Sequence, residues 1–156
     1  MFKKILVPLD GSKFSEAVLP QVRSLAQMYQ AEVFVLQVTE PLRPSLYPQG
    51  VALLEQLVRE MRAEANAYTH KMATTLNDQD IRAHAEVVDA VNIANAILSY
   101  AEAKGVDLIA LSTHGRSGVS RWLLGSTADK VIHGATVPVL LVRPNLSEGG
   151  QSGGVA

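Results

Sequence analysis

The chain has 156 residues, of which 47% are hydrophobic and 19% charged, so it can bury the core of one domain. A net charge of −1 and an aromatic fraction of 5% argue against a nucleic-acid-binding surface. The absence of cysteine excludes disulfides, thiol catalysis and cysteine-bound zinc. Because no apolar run resembles a leader or approaches the roughly 20 residues that span a bilayer, we expect a cytoplasmic protein that does not contact membranes.

The first quarter of the chain predicts a strand, a helix and a second strand. The apolar run at 5–9 ends in Asp-Gly-Ser at 10–12, which is typical of a buried strand that meets a turn. Apolar residues then recur every three or four positions over 14–29, which predicts a helix that Pro20 kinks. The β-rich run at 33–38 predicts the second strand.

The alternation of strands and helices continues after a proline-rich loop at 39–49. One apolar stripe predicts a long helix over 50–76, with Met61 and Met72 in the core. The later predicted elements are a strand at 81–88, a helix from Ile93 that stops at Lys104-Gly105, a strand at 108–111, a helix at 127–133 and a strand at 137–142.

This order of elements predicts a single α/β domain with an open parallel sheet of five strands, Rossmann-like, with helices on both faces. We expect the strand order 3-2-1-4-5, which is the Rossmann-like order of a doubly wound sheet. Residues 1–144 are predicted to form the domain, and the glycine-rich residues 145–156 are predicted to form a flexible tail.

In such a sheet, ligands bind beyond the carboxyl ends of the strands, where the strand order reverses. Two turns are expected there, at 10–12 and at 112–126. The second turn contains Gly115, Gly118 and Gly125, which can adopt positive φ and let backbone amides approach anionic oxygens closely. The sequence therefore predicts a phosphate-binding loop after the fourth strand.

Ser126 is expected where a helix begins, so its hydroxyl and the amides of Thr127 and Ala128 would converge on one anion. The alternative is that Ser126 only caps the helix, with Asp129 completing a capping pair. Asp10 leaves two roles open in the same way. It could be only a turn former, although its position at the end of a strand favours a functional role.

Within the second turn, His114 could orient the loop and Arg116 could reach a phosphate. The alternatives are an imidazole bonded to the backbone and a solvated arginine. Other nucleotide or catalytic motifs are missing, since the sequence contains no Gly-x-Gly-x-x-Gly after the first strand, no P-loop and no Gly-x-Ser-x-Gly elbow. The four histidines have no metal-binding spacing.

Thr113-His114-Gly115, nine further residues and Gly125-Ser126, followed by the apolar run at 137–142, resemble the signature of the universal stress protein family. The strand and turn at 5–12 are similar to the start of that family, so the resemblance extends from residue 4 to residue 143. It implies a site for ATP or AMP. In that site Gly115, Gly125 and Ser126 would hold phosphates.

The same resemblance implies that Asp10 meets the ribose or an associated Mg²⁺, that Val38 offers its backbone to adenine, and that Pro8 and Leu9 line the pocket. The candidate nucleotide-binding residues are thus Pro8, Leu9, Asp10, Val38, Ser112, His114, Gly115, Arg116, Gly118, Gly125, Ser126 and Thr127. Two positions depart from the family pattern. Ser112 replaces the first glycine and loses access to positive φ, and residues 91–94 replace a Gly-x-Pro-Ala turn at the rim of the pocket.

The favoured function is a regulatory module in which bound ATP changes the conformation or the choice of a protein partner. The alternatives are a slow ATPase, a phosphoryl- or nucleotidyl-transferase that uses the same pocket, and a structural partner protein that binds no nucleotide. No general base aimed at the phosphates is apparent in the sequence, which favours binding over turnover. An apolar edge strand at 137–142 also predicts a homodimer, as the family resemblance implies.

Overall fold

A computed structural model describes residues 1–41, 51–114 and 124–144. The secondary structure consists of β1 Lys4–Pro8, α1 Lys13–Glu16, α2 Leu19–Tyr29, β2 Glu32–Thr39, α3 Val51–Asn77, β3 Ala83–Asp89, α4 Ile93–Lys104, β4 Leu108–Ser112, α5 Ser126–Gly134 and β5 Val139–Val142. None of the helices that the structure describes is long and apolar enough to cross a membrane. The predicted tail at 145–156 lies outside the described residues.

The five strands are parallel and lie in the order β3-β2-β1-β4-β5, which confirms the predicted sheet. The central strand β1 pairs with both β2 and β4, and Ile5 lies opposite Val33 on one side and Leu108 on the other. Since helices cover both faces, the residues of β1 can be apolar without alternation, and Leu6 and Val7 are fully buried.

Two apolar clusters lie on opposite faces of the sheet. On one face, Ile5 and Val7 pack with the cluster that includes Val22 of α2 and Ala73 of α3. On the other face, Leu6 packs with the cluster that includes residues of α4 and α5. Successive strand residues point to opposite sides, which explains how three consecutive residues of β1 supply both cores.

The helix predicted over 14–29 is in fact two helices, α1 and α2. The chain turns at Ala17 and Val18, and Pro20 is the second residue of α2. A proline is tolerated in the first turn of a helix because the amide hydrogen that it lacks has no intrahelical acceptor there. Pro20 therefore starts a new helix instead of kinking an existing one.

The long helix α3 lies within one residue of its predicted bounds, but its apolar stripe is only partly buried. Met72 packs against the core as predicted, whereas Met61 is 38% exposed, so its assignment to the core was wrong. Small side chains face the sheet further along the helix, and Ala65 and Ala73 are buried. Met61 lies nearer the carboxyl ends of the strands, where it lines a cavity instead of the core.

The helix α4 begins and ends as the sequence predicts. The Asn92 side chain accepts a hydrogen bond of 3.1 Å from the amide of Asn95, which caps the first turn. Gly105 adopts the left-handed conformation, with φ of 62°, and ends the helix. This cap places the first turn of α4, with Ile93, at the edge of the sheet where β1 and β4 end.

Candidate nucleotide site

A cavity of about 300 Å³ lies at the carboxyl ends of β1 and β4, where the strand order reverses. Its walls include nine of the residues singled out from the sequence: Pro8, Leu9, Asp10, Val38, Ser112, His114, Gly125, Ser126 and Thr127. Gly115, Arg116 and Gly118 lie outside the described residues. Residues that are more than a hundred positions apart in the sequence therefore meet in one pocket.

The turn after β1 is held together by Asp10. Its Oδ1 atom accepts hydrogen bonds from the amide and the hydroxyl of Ser12, at 2.9 and 2.6 Å. Gly11 follows with φ of 84°, a conformation that side chains disfavour. Ser12 in turn caps α1, since its Oγ atom accepts from the amide of Ser15 at 3.1 Å. Asp10 is thus a turn former and also part of the cavity wall.

Gly125 joins the start of α5 to the end of β4. Its amide donates to the carbonyl of Thr113 at 2.9 Å, and a Cβ atom at position 125 would lie 3.2 Å from the same carbonyl oxygen. Its φ is −61°, so the expected use of positive φ at this glycine was wrong. The glycine is needed here because the two backbones approach closely, which leaves little room for a side chain.

Ser126 is the first residue of α5, and Gly125 occupies the N-cap position without any side-chain capping bond. The alternative role of Ser126, as the cap of the helix, is therefore excluded, because the cap lies one residue earlier. The first helical bond runs from the amide of Asp129 to the carbonyl of Gly125, at 2.9 Å. The amides of residues 126–128 precede it and have no helical acceptor, and all three residues line the cavity. The helix dipole makes this end of the cavity attractive to an anion.

Ser112 and His114 flank Thr113, the residue just after β4 that contacts Gly125. Ser112 is the last residue of β4 and has a negative φ, so replacing a glycine here requires no strained backbone. Its hydroxyl accepts from the amide of His114 at 3.3 Å. The His114 Nδ1 atom lies 2.9 Å from the Thr113 hydroxyl, which helps to hold the imidazole ring.

The sequence predicted only part of the apolar wall of the cavity. Ile93 and Ile97 of α4 line it, together with Leu111 of β4. Ile97 was interpreted only as part of the buried face of a helix, whereas Ile93 belongs to residues 91–94, which were expected at the rim of the pocket. The available signal was an i, i+4 apolar pair in the first turns of a helix that starts at the carboxyl edge of the sheet. The cavity is therefore polar beside α5 and apolar beside α4.

Asp10 is the only carboxylate among the described residues of the cavity wall. Throughout residues 1–41, 51–114 and 124–144, no three histidine, aspartate or glutamate side chains lie close enough together to hold a metal ion. A divalent ion at this site would need ligands that come with a bound molecule, such as phosphate oxygens.

Comparison with known proteins identifies the family. The model of the universal stress protein family matches residues 1–143. The universal stress protein MJ0531 of Methanocaldococcus jannaschii is 36% identical over 146 residues, which covers 92% of this chain and 83% of that protein.

Solved structures share the architecture. The hypothetical protein MJ0577, from the same organism, superposes with a TM-score of 0.82 at 27% identity, over 94% of this chain and 99% of the other. A universal stress protein from Archaeoglobus fulgidus, solved in complex with dAMP, has a TM-score of 0.64 at 16% identity, over 90% and 97% of the two chains. At that identity the likeness concerns the fold alone. The family match over nearly the whole length shows that this chain belongs to the universal stress protein family.

Proposed function

We propose that this protein is a regulatory module that binds ATP in the cavity between β1, β4, α4 and α5. The observation that carries the proposal is the pairing, across one cavity, of an unpaired helix N-terminus with an apolar wall. A nucleotide needs both, because its phosphates are anionic and its base is flat and largely apolar. The complex of an A. fulgidus relative with dAMP adds support for an adenine nucleotide in this fold.

The phosphates would lie against the first turn of α5. The amides of residues 126–128 lack helical acceptors, and the Ser126 hydroxyl stands beside them on the wall of the cavity. Gly125 keeps this surface free of side-chain atoms. The sequence also assigns Gly115, Arg116 and Gly118 to phosphate binding, and that assignment remains a prediction.

The adenosine would occupy the other end of the cavity. Ile93 and Ile97 supply an apolar surface for the base, and the backbone of Val38 lies at the end of β2, where it can bond the edge of the base. Asp10 would face the ribose, or Mg²⁺ carried in by the phosphates, which a single carboxylate can share but not hold alone. AMP would fill the same end of the cavity with fewer phosphate contacts.

The decisive test is Gly125→Glu. The new carboxylate would lie in the space proposed for phosphate, so we expect calorimetric titration to detect no ATP binding. Gly125→Ala adds the Cβ atom near Thr113 without the charge, so we expect a partial loss. Thr136→Glu adds the same charge at an exposed position beyond the other end of α5 and should bind ATP like the wild type.

Circular dichroism of each variant separates a lost site from a lost fold. If a folded Gly125→Glu variant binds ATP with wild-type affinity, the phosphates lie elsewhere and the proposal is wrong. Titration of AMP beside ATP measures how much of the affinity the outer phosphates provide.

We further propose that the protein acts as a homodimer in the cytoplasm and that the bound nucleotide alters how the dimer meets a regulatory protein partner. The strand expected at 137–142 is β5 at 139–142, and it lies at the edge of the sheet. Its four residues are apolar and only half buried. The other edge strand, β3, carries Glu86 and Asp89, and charged side chains on an edge strand discourage pairing.

A further inference from the structure

The short helix α1 lies beside the proposed nucleotide cavity, to which it contributes Ser15. It has only four residues, and a helix of this length has little stability of its own, because few hydrogen bonds offset the cost of nucleation. Within the described residues, none of its side chains belongs to either of the two apolar clusters that flank the sheet. Polar contacts must therefore fix its position.

Ser15 connects α1 to the turn that contains Asp10. It is only 6% exposed, although it lines the cavity. Its hydroxyl donates to the carbonyl of Ser12 at 2.8 Å and accepts from the amide of Asp10 at 3.3 Å. A displacement of α1 would therefore shift the backbone of Asp10, which is the only carboxylate on the described wall of the cavity.

The long helix α3 reaches α1 through the side chain of Tyr68. The Tyr68 hydroxyl donates to Oε1 of Glu16, the last residue of α1, at 3.2 Å. The other carboxylate oxygen of Glu16 pairs with the exposed Lys13 at 2.9 Å. The Tyr68 ring packs against the apolar cluster that includes Val22. Because the ring is anchored in the core, its hydroxyl provides a fixed point for α1.

Electrostatic interactions show that Tyr68 also lies close to the turn itself. Burial, and next the charge of Glu16, raise the pKa of the Tyr68 hydroxyl. Interaction with the Ser15 hydroxyl opposes this rise in pKa, and the charge of Asp10 adds to it. Tyr68 therefore remains protonated at neutral pH, as a donor needs to be, and it lies within electrostatic range of Asp10.

We propose that Tyr68 is a positioning residue of the nucleotide site. By holding Glu16 it fixes α1, and through Ser15 it fixes the turn at Asp10. Tyr68 itself is not part of the described wall of the nucleotide cavity, so it acts on the ligand only through these residues. The functional consequence rests on the proposed binding of ATP, whereas the contact between α3 and α1 exists without a nucleotide.

Calorimetric titration of ATP with Mg²⁺, well below the melting temperature, tests the functional consequence. Tyr68→Phe keeps the ring in the core and removes only the hydroxyl, so we expect the affinity for ATP to fall about fivefold, the size of one ordinary net hydrogen bond. Thr69→Val is the matched control, because the Thr69 hydroxyl is buried in the same helix and bonds to the carbonyl of Ala65. This variant should bind ATP like the wild type.

Variants of Glu16 distinguish positioning from a general loss of stability. Glu16→Gln keeps an oxygen acceptor for Tyr68 and should bind ATP within about twofold of the wild type, whereas Glu16→Ala should lose about as much affinity as Tyr68→Phe. In the double variant of Tyr68→Phe with Glu16→Ala, the two losses of affinity should not add, because both substitutions remove the same contact.

Amide hydrogen exchange without nucleotide tests the position of α1 directly. In Tyr68→Phe, the amides of Ser12 and Ser15 should exchange faster, while the amide of Asp129, in α5, should not change. The proposal is overturned by wild-type affinity for ATP in folded Tyr68→Phe, by fully additive losses in the double variant, or by unchanged exchange at Ser12 and Ser15. If the wild type binds no ATP, the nucleotide function fails by itself, and amide exchange still decides whether Tyr68 holds the turn.

Discussion

Asp10 has two duties, because its Oδ1 atom holds the turn to Ser12 while the residue also lines the cavity. The two duties can be separated by choosing what replaces the carboxylate. Asparagine keeps a carbonyl oxygen that can accept from Ser12 but removes the charge. Alanine removes both, and it therefore loosens the turn as well.

We expect Asp10→Asn to weaken ATP binding in the presence of Mg²⁺ by about tenfold, as loss of a charged contact typically does, while the melting temperature changes little. Asp10→Ala should weaken binding at least as much and also lower the free energy of unfolding by about 1 kcal/mol. Calorimetry with and without Mg²⁺, together with thermal unfolding, measures both effects. If Asp10→Asn binds ATP with unchanged affinity, the only role of Asp10 is to form the turn.

Residue types were predicted better than their precise positions. The sequence indicated that a helix begins at Gly125 and Ser126, and it left open whether Ser126 meets an anion or caps the helix. The cap is Gly125, since the first helical bond is accepted by its carbonyl, and its lack of a side chain suits the close approach to the Thr113 carbonyl. That contact brings together the ends of two separate elements, and no local sequence pattern predicts how closely they approach.

At the scale of elements, the helix α3 contacts its neighbours through polar side chains as well as through its apolar face. The Tyr68 hydroxyl donates to Glu16 of α1 at 3.2 Å, and Arg62 pairs with Asp89 at the end of β3. Burial, and next the charge of Glu16, raise the pKa of Tyr68 above its usual value of 10.0. Ionising this phenol therefore costs the folded state more than the unfolded chain.

The direction of this pKa shift predicts a loss of folding stability at alkaline pH. Because the folded pKa is the higher one, the contribution of Tyr68 is fully present below about pH 10 and is lost as the pH rises towards the folded pKa. Tyr68→Phe should lower the free energy of unfolding by about 1 kcal/mol at neutral pH, through loss of the hydrogen bond. The difference from the wild type should then narrow above about pH 10.

Urea unfolding at a series of pH values measures this narrowing. Burial also raises the pKa of Tyr100. Both the wild type and Tyr68→Phe should therefore lose some stability at alkaline pH through Tyr100. Glu16→Gln keeps an acceptor for Tyr68 and removes the charge, so it should show a smaller alkaline loss than the wild type. A gap between wild type and Tyr68→Phe that stays constant with pH would contradict the assignment.

The elements themselves were largely predictable because hydrophobic periodicity is a local property. All five strands and the long helix were found from the sequence, and the parallel order followed from their alternation with helices. The break between α1 and α2 was not predictable, because the apolar spacing from Phe14 through Val18 to Val22 continues across it. Val18 lies in the turn between the two helices and packs on the same core as Val22, so the apolar pattern persists where the backbone turns.

At the scale of the whole molecule, the two edges of the sheet differ in what they present. The carbonyl oxygens of Pro138 and Val142 accept hydrogen bonds from the backbone amides of Ile109 and Thr113, so these residues direct their backbone groups towards β4. Because successive residues of a strand alternate in direction, the backbone groups of residues 139 and 141 point away from the sheet. An apolar edge with outward backbone groups can pair with a second copy around a two-fold axis.

We therefore expect the wild type to be a dimer at micromolar concentration and Leu140→Asp with Val142→Asp to be a monomer, because four carboxylates would meet across the axis. Leu140 and Val142 also pack against the core, so loss of apolar contact must be separated from repulsion. The double alanine variant makes the same cavity without charge and should remain at least partly dimeric, while circular dichroism verifies that each variant is folded. Light scattering decides the question, since a monomeric wild type, or a folded aspartate variant that stays dimeric, would exclude pairing through β5.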